Sequence, residues 1–516
     1  MKKKLLSLTL AALLALGTLS GMALAYNGAD DLVISTEPTT VTMFIPFGGN
    51  GAPKGDMPIW QKMKEITGVQ MENIANESIT ETLQSQNTML ASGELPDVIA
   101  GLRSEIEPLI AQGAFMPMDE LIAEYAPNIQ KFFDNYPDAK RAGTGPDGKV
   151  YFFAGTLGGQ PGKALPSMGF FIRQDWLTKL NLAVPTTLEE YKNVLYTFRN
   201  DDPNGNGEKD EVPLFYRDKG VWNILQLWDS SNGWYIGKDD MVHYGRYDEN
   251  YKGAMKELAQ WYADGVIDPE IFTRGSQARQ FLLGNDIGGT TMDWFASTGA
   301  MNDTVAETVP GIEFVAIAPP ADINGVVKQV FGRESISSYG WGLSSACKDP
   351  VKAIQLLDFV LSDEGYKLFG FGIEGDDYTI IDGVPTPSEK ALTNPAGYPN
   401  YMRSLGAGDM GTYGNLEGEL ATMNKQAREG FELYEQSDWI QMPFPTLIFA
   451  GDERKVIDDN LANIESHMDE YQERTLMGAE DVDASWDGYL ATLQSMGMDD
   501  VLAAYNSAYA RYKLGD

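Results

Sequence analysis

Cysteine is almost missing from this chain: Cys347 is the only one. No internal disulfide can form, so packing and any bound ion must hold the fold. Histidine is nearly as scarce. His243 and His467 are the only two, and neither has metal-ligand spacing or a partnered serine. There is no nucleophile elbow and no phosphate loop. Positive charge is also short, with 39 Lys and Arg against 74 Asp and Glu, a net charge of −35. Such a surface repels nucleic acid and anionic lipid. Beyond the first 25 residues, no apolar run is long enough to cross a bilayer.

What is present begins with a leader. Lys2, Lys3 and Lys4 precede an apolar stretch, Leu5 to Leu16, and Ala23-Leu24-Ala25 offers a small-residue cleavage site. Residues 1–25 therefore read as a signal peptide. Leu19-Ser20-Gly21 resembles the start of a lipoprotein signal, but Met22 stands where the lipid-bearing cysteine should be. Release from the membrane is expected. Without the three leader lysines the balance is 36 basic to 74 acidic residues, a net charge of −38. A mature chain of this length predicts two or more lobes. Ten Trp and 24 Tyr make it too aromatic for a disordered chain.

The densest motif is Asp202-Pro203-Asn204-Gly205-Asn206-Gly207-Glu208-Lys209-Asp210-Glu211. Oxygen side chains alternate at Asp202, Asn204 and Asn206. Ca²⁺ takes six to eight oxygens, and loop positions 1, 3, 5, 7 and 9 can wrap one ion. Glu208 would give its main-chain carbonyl, and Gly207 sits where the loop turns sharply. Pro213 occupies the position where an EF-hand carries its closing Glu, so Asp210 or Glu211 would close this one. The same residues also favour a plain polar turn. Any ion here would be structural, since the chain supplies every ligand.

Strand and helix patterns alternate along the chain. Val41–Ile45, Asp97–Ala100, Val150–Phe153 and Phe170–Ile172 read as strands. Trp60–Thr67 and Thr80–Ser92 read as helices, and Thr187 with Glu190 opens a third. Ser335–Ser345 is a strand-like crossing. The tail from Val456 is helical, with Trp486, Leu490 and Leu493 on one face. This is an α/β pattern with open sheets.

Several stretches, in order, carry a family resemblance. They are Ser92-Gly93-Glu94-Leu95-Pro96-Asp97-Val98, Ile172-Arg173-Gln174-Asp175-Trp176-Leu177, the calcium-like loop, Gly265-Val266-Ile267-Asp268-Pro269-Glu270, Ser362-Asp363-Glu364-Gly365, Gly372-Ile373-Glu374-Gly375 and Ser485-Trp486-Asp487-Gly488-Tyr489. The set resembles the extracellular solute-binding proteins of ABC importers, in the long oligosaccharide-binding branch with a structural calcium site. The resemblance implies a two-lobed, periplasmic-binding-protein-like (type II) α/β fold, with a hinge and a ligand cleft between the lobes. Lobe 1 would take residues 38–160 and 298–358, and lobe 2 residues 165–295 and 362–516. It implies a monomer that hands its sugar to membrane permease subunits.

Sugar sites pair flat aromatic faces with polar partners. Trp294 beside Asp293 is the first candidate platform. Of Trp222, Trp228 and Trp234, one is expected in the cleft, with Trp228 favoured. Phe444 and Phe449 are late aromatics in the position the family uses. Arg333 and Glu334 could bond hydroxyls. Phe47 and Asn50 follow a strand end, where open α/β sheets place ligands. Trp60, Trp176, Trp261 and Trp486 sit in helical patterns and are assigned to core.

Gly406-Ala407-Gly408-Asp409-Met410-Gly411 fits the dinucleotide glycine pattern but follows no strand, so it reads as a loop. Three functions stay open: capture of an oligosaccharide without chemistry, a secreted carbohydrate-active enzyme using paired carboxylates, or the same fold binding peptides or serving a sensor.

Overall fold

The computed structural model describes residues 26–514, except 46–51, 76–87, 91, 103–108, 111, 146, 157–162, 219, 335, 395–397, 408–415, 446 and 448. Most of the expected helix at 80–92 lies outside the described residues, as do Phe47, Asn50 and most of the glycine motif after Ala407.

Two sheets organise the chain. The first has five strands in the order Val69–Asn73, Thr39–Phe44, Val98–Leu102, Ile336–Leu343 and Phe153–Thr156. The three early strands are parallel, and Ile336–Leu343 runs against both of its neighbours. Gly340 lets that strand pack close, since a Cβ there would lie 2.1 Å from the Phe153 carbonyl oxygen. Helix Pro58–Thr67 covers this sheet. Pro58 opens it, Gly68 closes it at φ 76°, and Ile59, Trp60 and Met63 are buried.

The second sheet runs Phe314–Ile317, Met168–Arg173, Gly288–Trp294, Val212–Leu214. Met168–Arg173 is antiparallel to both neighbours, and Gly288–Trp294 is parallel to Val212–Leu214. Alternation sends Phe170 and Ile172 into one core, with Trp176, Trp261 and Trp486. Phe171 enters another, with Phe215, Phe314 and Tyr434. This sheet is therefore covered on both faces, and six successive residues, Gly288 to Asp293, are buried.

The lobe boundaries expected above need correcting. Phe314–Ile317 pairs with Phe170–Arg173 in the second sheet, and Val305, Val309 and Ile312 pack behind it. Residues 298–332 therefore do not join the first lobe. Conversely, Leu361, Leu368, Phe369, Tyr401 and Met402 lie in the first core. The indole N–H of Trp60 donates to the Gly406 carbonyl at 3.0 Å. A short apolar strand fits either sheet by pattern, and only its pairing partner decides. The chain passes between sheets on either side of a small ribbon, where Leu165–Pro166 pairs antiparallel with Gly332–Arg333. Farther along, Ala407 lies in the first core and Leu416, on helix Leu416–Ala421, packs against the core holding Phe171.

A candidate oligosaccharide site at the edge of the second sheet

Strands Val212–Leu214, Gly288–Trp294 and Phe314–Ile317 all point their C-terminal ends to one edge. Ligands bind at this edge in open α/β sheets. Trp294 ends its strand there and is 45% exposed, directly after a fully buried run. A large aromatic left in solvent at that place is a ready platform for a sugar ring. Its strand partner Met168 is half-buried, and Asn223 donates to the Met168 sulfur at 3.9 Å.

Asp293 mounts the platform. It accepts from Arg217 Nε at 2.6 Å and Nη2 at 2.5 Å, from Arg279 Nη1 at 3.0 Å, and from the Trp294 backbone N–H at 2.8 Å. With four donors on one carboxylate, its acceptor capacity is used within the protein. Asp293, expected to bond the ligand, thus has its acceptor positions taken by protein donors. Burial pushes the Arg279 guanidinium down to about 10, opposed by Asp293 and aided by Arg217. The hydrogen bonds to Asp293 hold Arg217 above its ordinary value.

Trp294 lines a small, partly open pocket of about 40 Å³ together with Pro166, Ser167, Phe295, Ala296, Met423, Phe431 and an ion pair. That pair joins Arg333 to Glu419 at 2.5 Å, with side chains 21% and 35% exposed. Trp294 and Arg333, separate candidates in the sequence, thus line the same pocket. Glu334 is half-buried next to Arg333.

Two aromatic expectations fail. Trp222 and Trp228 are 6% and 4% exposed. Every residue from Val221 to Trp228 is buried except Asn223, because this segment is a 3₁₀ turn that drives its apolar side chains inward. Trp228 donates to Glu257 at 3.1 Å and packs on Trp261. The third candidate, Trp234, is half-buried and stacks on Tyr505 at 3.6 Å. Phe444 and Phe449 are half-buried against the same Tyr505. Arg217 and Glu419 were not foreseen. Glu419 stands 86 residues beyond Arg333, so no local spacing links them.

The calcium-like loop is ordered by its own side chains. Asp202, at φ 47°, accepts from the N–H groups of Gly205, Asn206 and Gly207 at 2.8–3.1 Å. Asn206 accepts from the Glu208 N–H at 2.7 Å, and the Asn204 and Asn206 amides donate to Asp210. Glu211 is 2% exposed, and both its carboxylate oxygens lack a hydrogen-bond partner. Burial raises its pKa, with Asp210 and Asp202 adding to the rise. An unpartnered buried carboxylate beside two more acids and two amide oxygens is the donor set a hard cation completes. Among the described residues, no three His, Cys, Asp or Glu side chains already converge as a metal cage; this loop would draw also on Asn204, Asn206 and the Glu208 carbonyl.

These features define a two-lobed binding protein, and comparison with known proteins gives its family. Residues 56–367, more than half the chain, match the model for the bacterial extracellular solute-binding protein, and the chain belongs to that family. It is 24% identical over 486 residues to the fructooligosaccharide ABC transporter substrate-binding protein FusA of Streptococcus pneumoniae serotype 4, covering 88% of this chain and 87% of FusA. It is 24% identical over 309 residues to the polygalacturonan/rhamnogalacturonan-binding protein YtcQ of Bacillus subtilis, covering 57% and 58% of the two chains. The alginate-binding protein AlgQ2, solved without calcium ion, superposes with a TM-score of 0.81 at 31% identity over 93% of this chain and 99% of that one. The expected two-lobed α/β fold is the fold of this family. Among the described residues, no helix is long and apolar enough to cross a membrane.

Proposed function

We propose that this chain captures an oligosaccharide outside the cell and delivers it to the permease of an ABC importer, without chemistry. The observation that carries the reading is Trp294, an exposed indole at the C-terminal edge of a buried strand, beside the Arg333–Glu419 pair. One presents a flat apolar face, and the other offers a donor and an acceptor for hydroxyls. The named relatives bind fructooligosaccharide, polygalacturonan and alginate, which agrees with a sugar rather than a peptide. The first lobe holds the five-stranded sheet and the second the four-stranded one. A monomer suffices for this role, and with Met22 in place of cysteine the chain is released after export.

The calcium loop fits one structural Ca²⁺. Asp202, Asn204, Asn206, Asp210, Glu211 and the Glu208 carbonyl would hold it. When bound, the ion neutralises the acids and fixes the loop. It takes no part in ligand capture.

A thermal-shift screen of the mature protein against oligosaccharides and peptides tests the reading. A sugar class that raises the melting temperature and is recovered intact supports it. Shortened products would make the chain an enzyme. A shift with peptides alone would overturn the carbohydrate assignment.

A further inference from the structure

The charges around Asp293, the residue before Trp294, do not cancel. Asp293 is a single buried carboxylate between two guanidiniums, and the side chains of Arg217 and Arg279 are only 27% and 10% exposed. One negative charge cannot neutralise two positive ones. Other cations near this face are matched: Arg333 by Glu419, and Lys328 by Asp229 and Asp322. Among the described residues, the other acid acting on Arg217 is Asp218, which is exposed and so screened by water and salt. The two arginines also differ in what they have left. Arg279 Nη1 is further held by Ser297 at 3.1 Å and Thr298 at 2.6 Å. Arg217 spends Nε and Nη2 on Asp293, and its Nη1 meets no acceptor among the described residues. Its end-on edge, Nη1 with the second Nη2 proton, is the fork that accepts a carboxylate in bidentate fashion.

We propose that the oligosaccharide is acidic, with Trp294 stacking a uronate-type ring and Arg217 bonding its carboxylate. This rests on the carbohydrate reading above and narrows it to a charge class. A surplus guanidinium at a half-buried edge is unfavourable in the free protein, and a ligand carboxylate relieves it. The repulsion that Arg217 exerts on Arg279 points the same way. A neutral sugar would leave that charge uncompensated while displacing its water.

Calorimetric titration of the mature, calcium-loaded protein tests this with three ligands of equal length: a uronate oligosaccharide, the same compound with its carboxyls reduced to alcohols, and a neutral fructan. The uronate should bind at least about tenfold tighter than its reduced form, the scale of one charge-assisted contact. Arg217→Gln should erase that difference, lowering uronate affinity more than affinity for the reduced sugar, which it also weakens through the lost support of Asp293. If Arg217→Gln fails to fold, Arg217→Lys and the salt dependence of the wild type serve instead. Raising ionic strength should weaken uronate binding and leave neutral binding unchanged. Equal or tighter binding of the reduced sugar or the fructan overturns the acidic assignment and leaves the carbohydrate reading standing. Binding of peptides but no sugar overturns both.

Discussion

Asp293 accepts four hydrogen bonds and has no acceptor capacity left for a ligand, so it acts on binding through the side chains it holds. Asp293→Asn leaves two guanidiniums facing each other without a carboxylate. It should cost about 3 kcal/mol of stability, the scale for breaking a buried pair, read as a lowered denaturant midpoint. Trp294→Ala should do the reverse. An exposed side chain contributes little to folding, so the melting temperature should hold within about 2 °C while sugar affinity falls about tenfold. Equal losses of stability and binding would make Trp294 a core residue instead. A third residue governs pH response. Asp358 lies in the first core, where it accepts from the Tyr26 hydroxyl, the Asn128 amide and the Ile129 N–H, each at 2.8 Å. Burial nonetheless raises its carboxyl to about 6 from an ordinary 3.8. The folded state then binds the proton more tightly than the unfolded chain. The stabilisation is complete below about pH 4 and is lost as pH rises through 6, on the order of 3 kcal/mol. Asp358→Asn should flatten that slope, and unfolding midpoints measured from pH 4 to 7 would show it. Trp294 was legible in the sequence because a glycine-rich buried run ends on it. Trp228 was not, because whether a Trp among Asn and Gln faces in or out depends on a 3₁₀ turn that its spacing does not announce.

At the scale of elements, the calcium loop was the most readable, since its geometry is local. Asx-type turns and two left-handed glycines, Gly205 and Gly207, can be anticipated from residue type alone. The burial of Glu211 could not be: it precedes strand Val212–Leu214, which pairs with the distant strand Gly288–Trp294. The loop ties helix Leu188–Asn200 to strand Val212–Leu214, and Arg199 donates to the Lys209 and Glu211 carbonyls at 3.1 and 2.9 Å. An ion held there only by the folded state would therefore stabilise the second sheet. At a hundredfold excess over its dissociation constant it would add about 2.7 kcal/mol. Asp202→Ala with Asp210→Ala should abolish one bound Ca²⁺ and lower the melting temperature, and chelation should do the same only in the wild type. Glu211→Gln should weaken calcium binding while raising the stability of the calcium-free protein, because it removes an unpaired buried charge. Unchanged metal content in the double variant would dismiss the site.

At the scale of the molecule, the sequence indicated two α/β lobes but misassigned the chain between them. Apolar runs such as Phe314–Ile317 carry no mark of which sheet they complete, and pairing across 140 residues decided it. In a two-lobed protein that closes by a hinge, the passages between lobes set the response to ligand. Arg333, in the ribbon paired with Leu165–Pro166, is bound to Glu419 on helix Leu416–Ala421. One ion pair thus joins the ribbon to that helix at the wall of the Trp294 pocket. A ligand that bonds this pair touches the lobe connections themselves, so its binding energy can favour a closed arrangement over an open one. Glu419→Gln keeps the shape and removes the charge. The pair is partly exposed, so folding stability should drop by less than about 1 kcal/mol. Sugar affinity should fall by a larger factor, because the closed state loses a contact that the open state does not need. Small-angle scattering separates this from simple loss of a hydrogen bond. Saturating ligand should reduce the radius of gyration of the wild type, and at equal saturation reduce that of Glu419→Gln by less. Identical compaction in both would limit Glu419 to contacting sugar and remove it from the hinge.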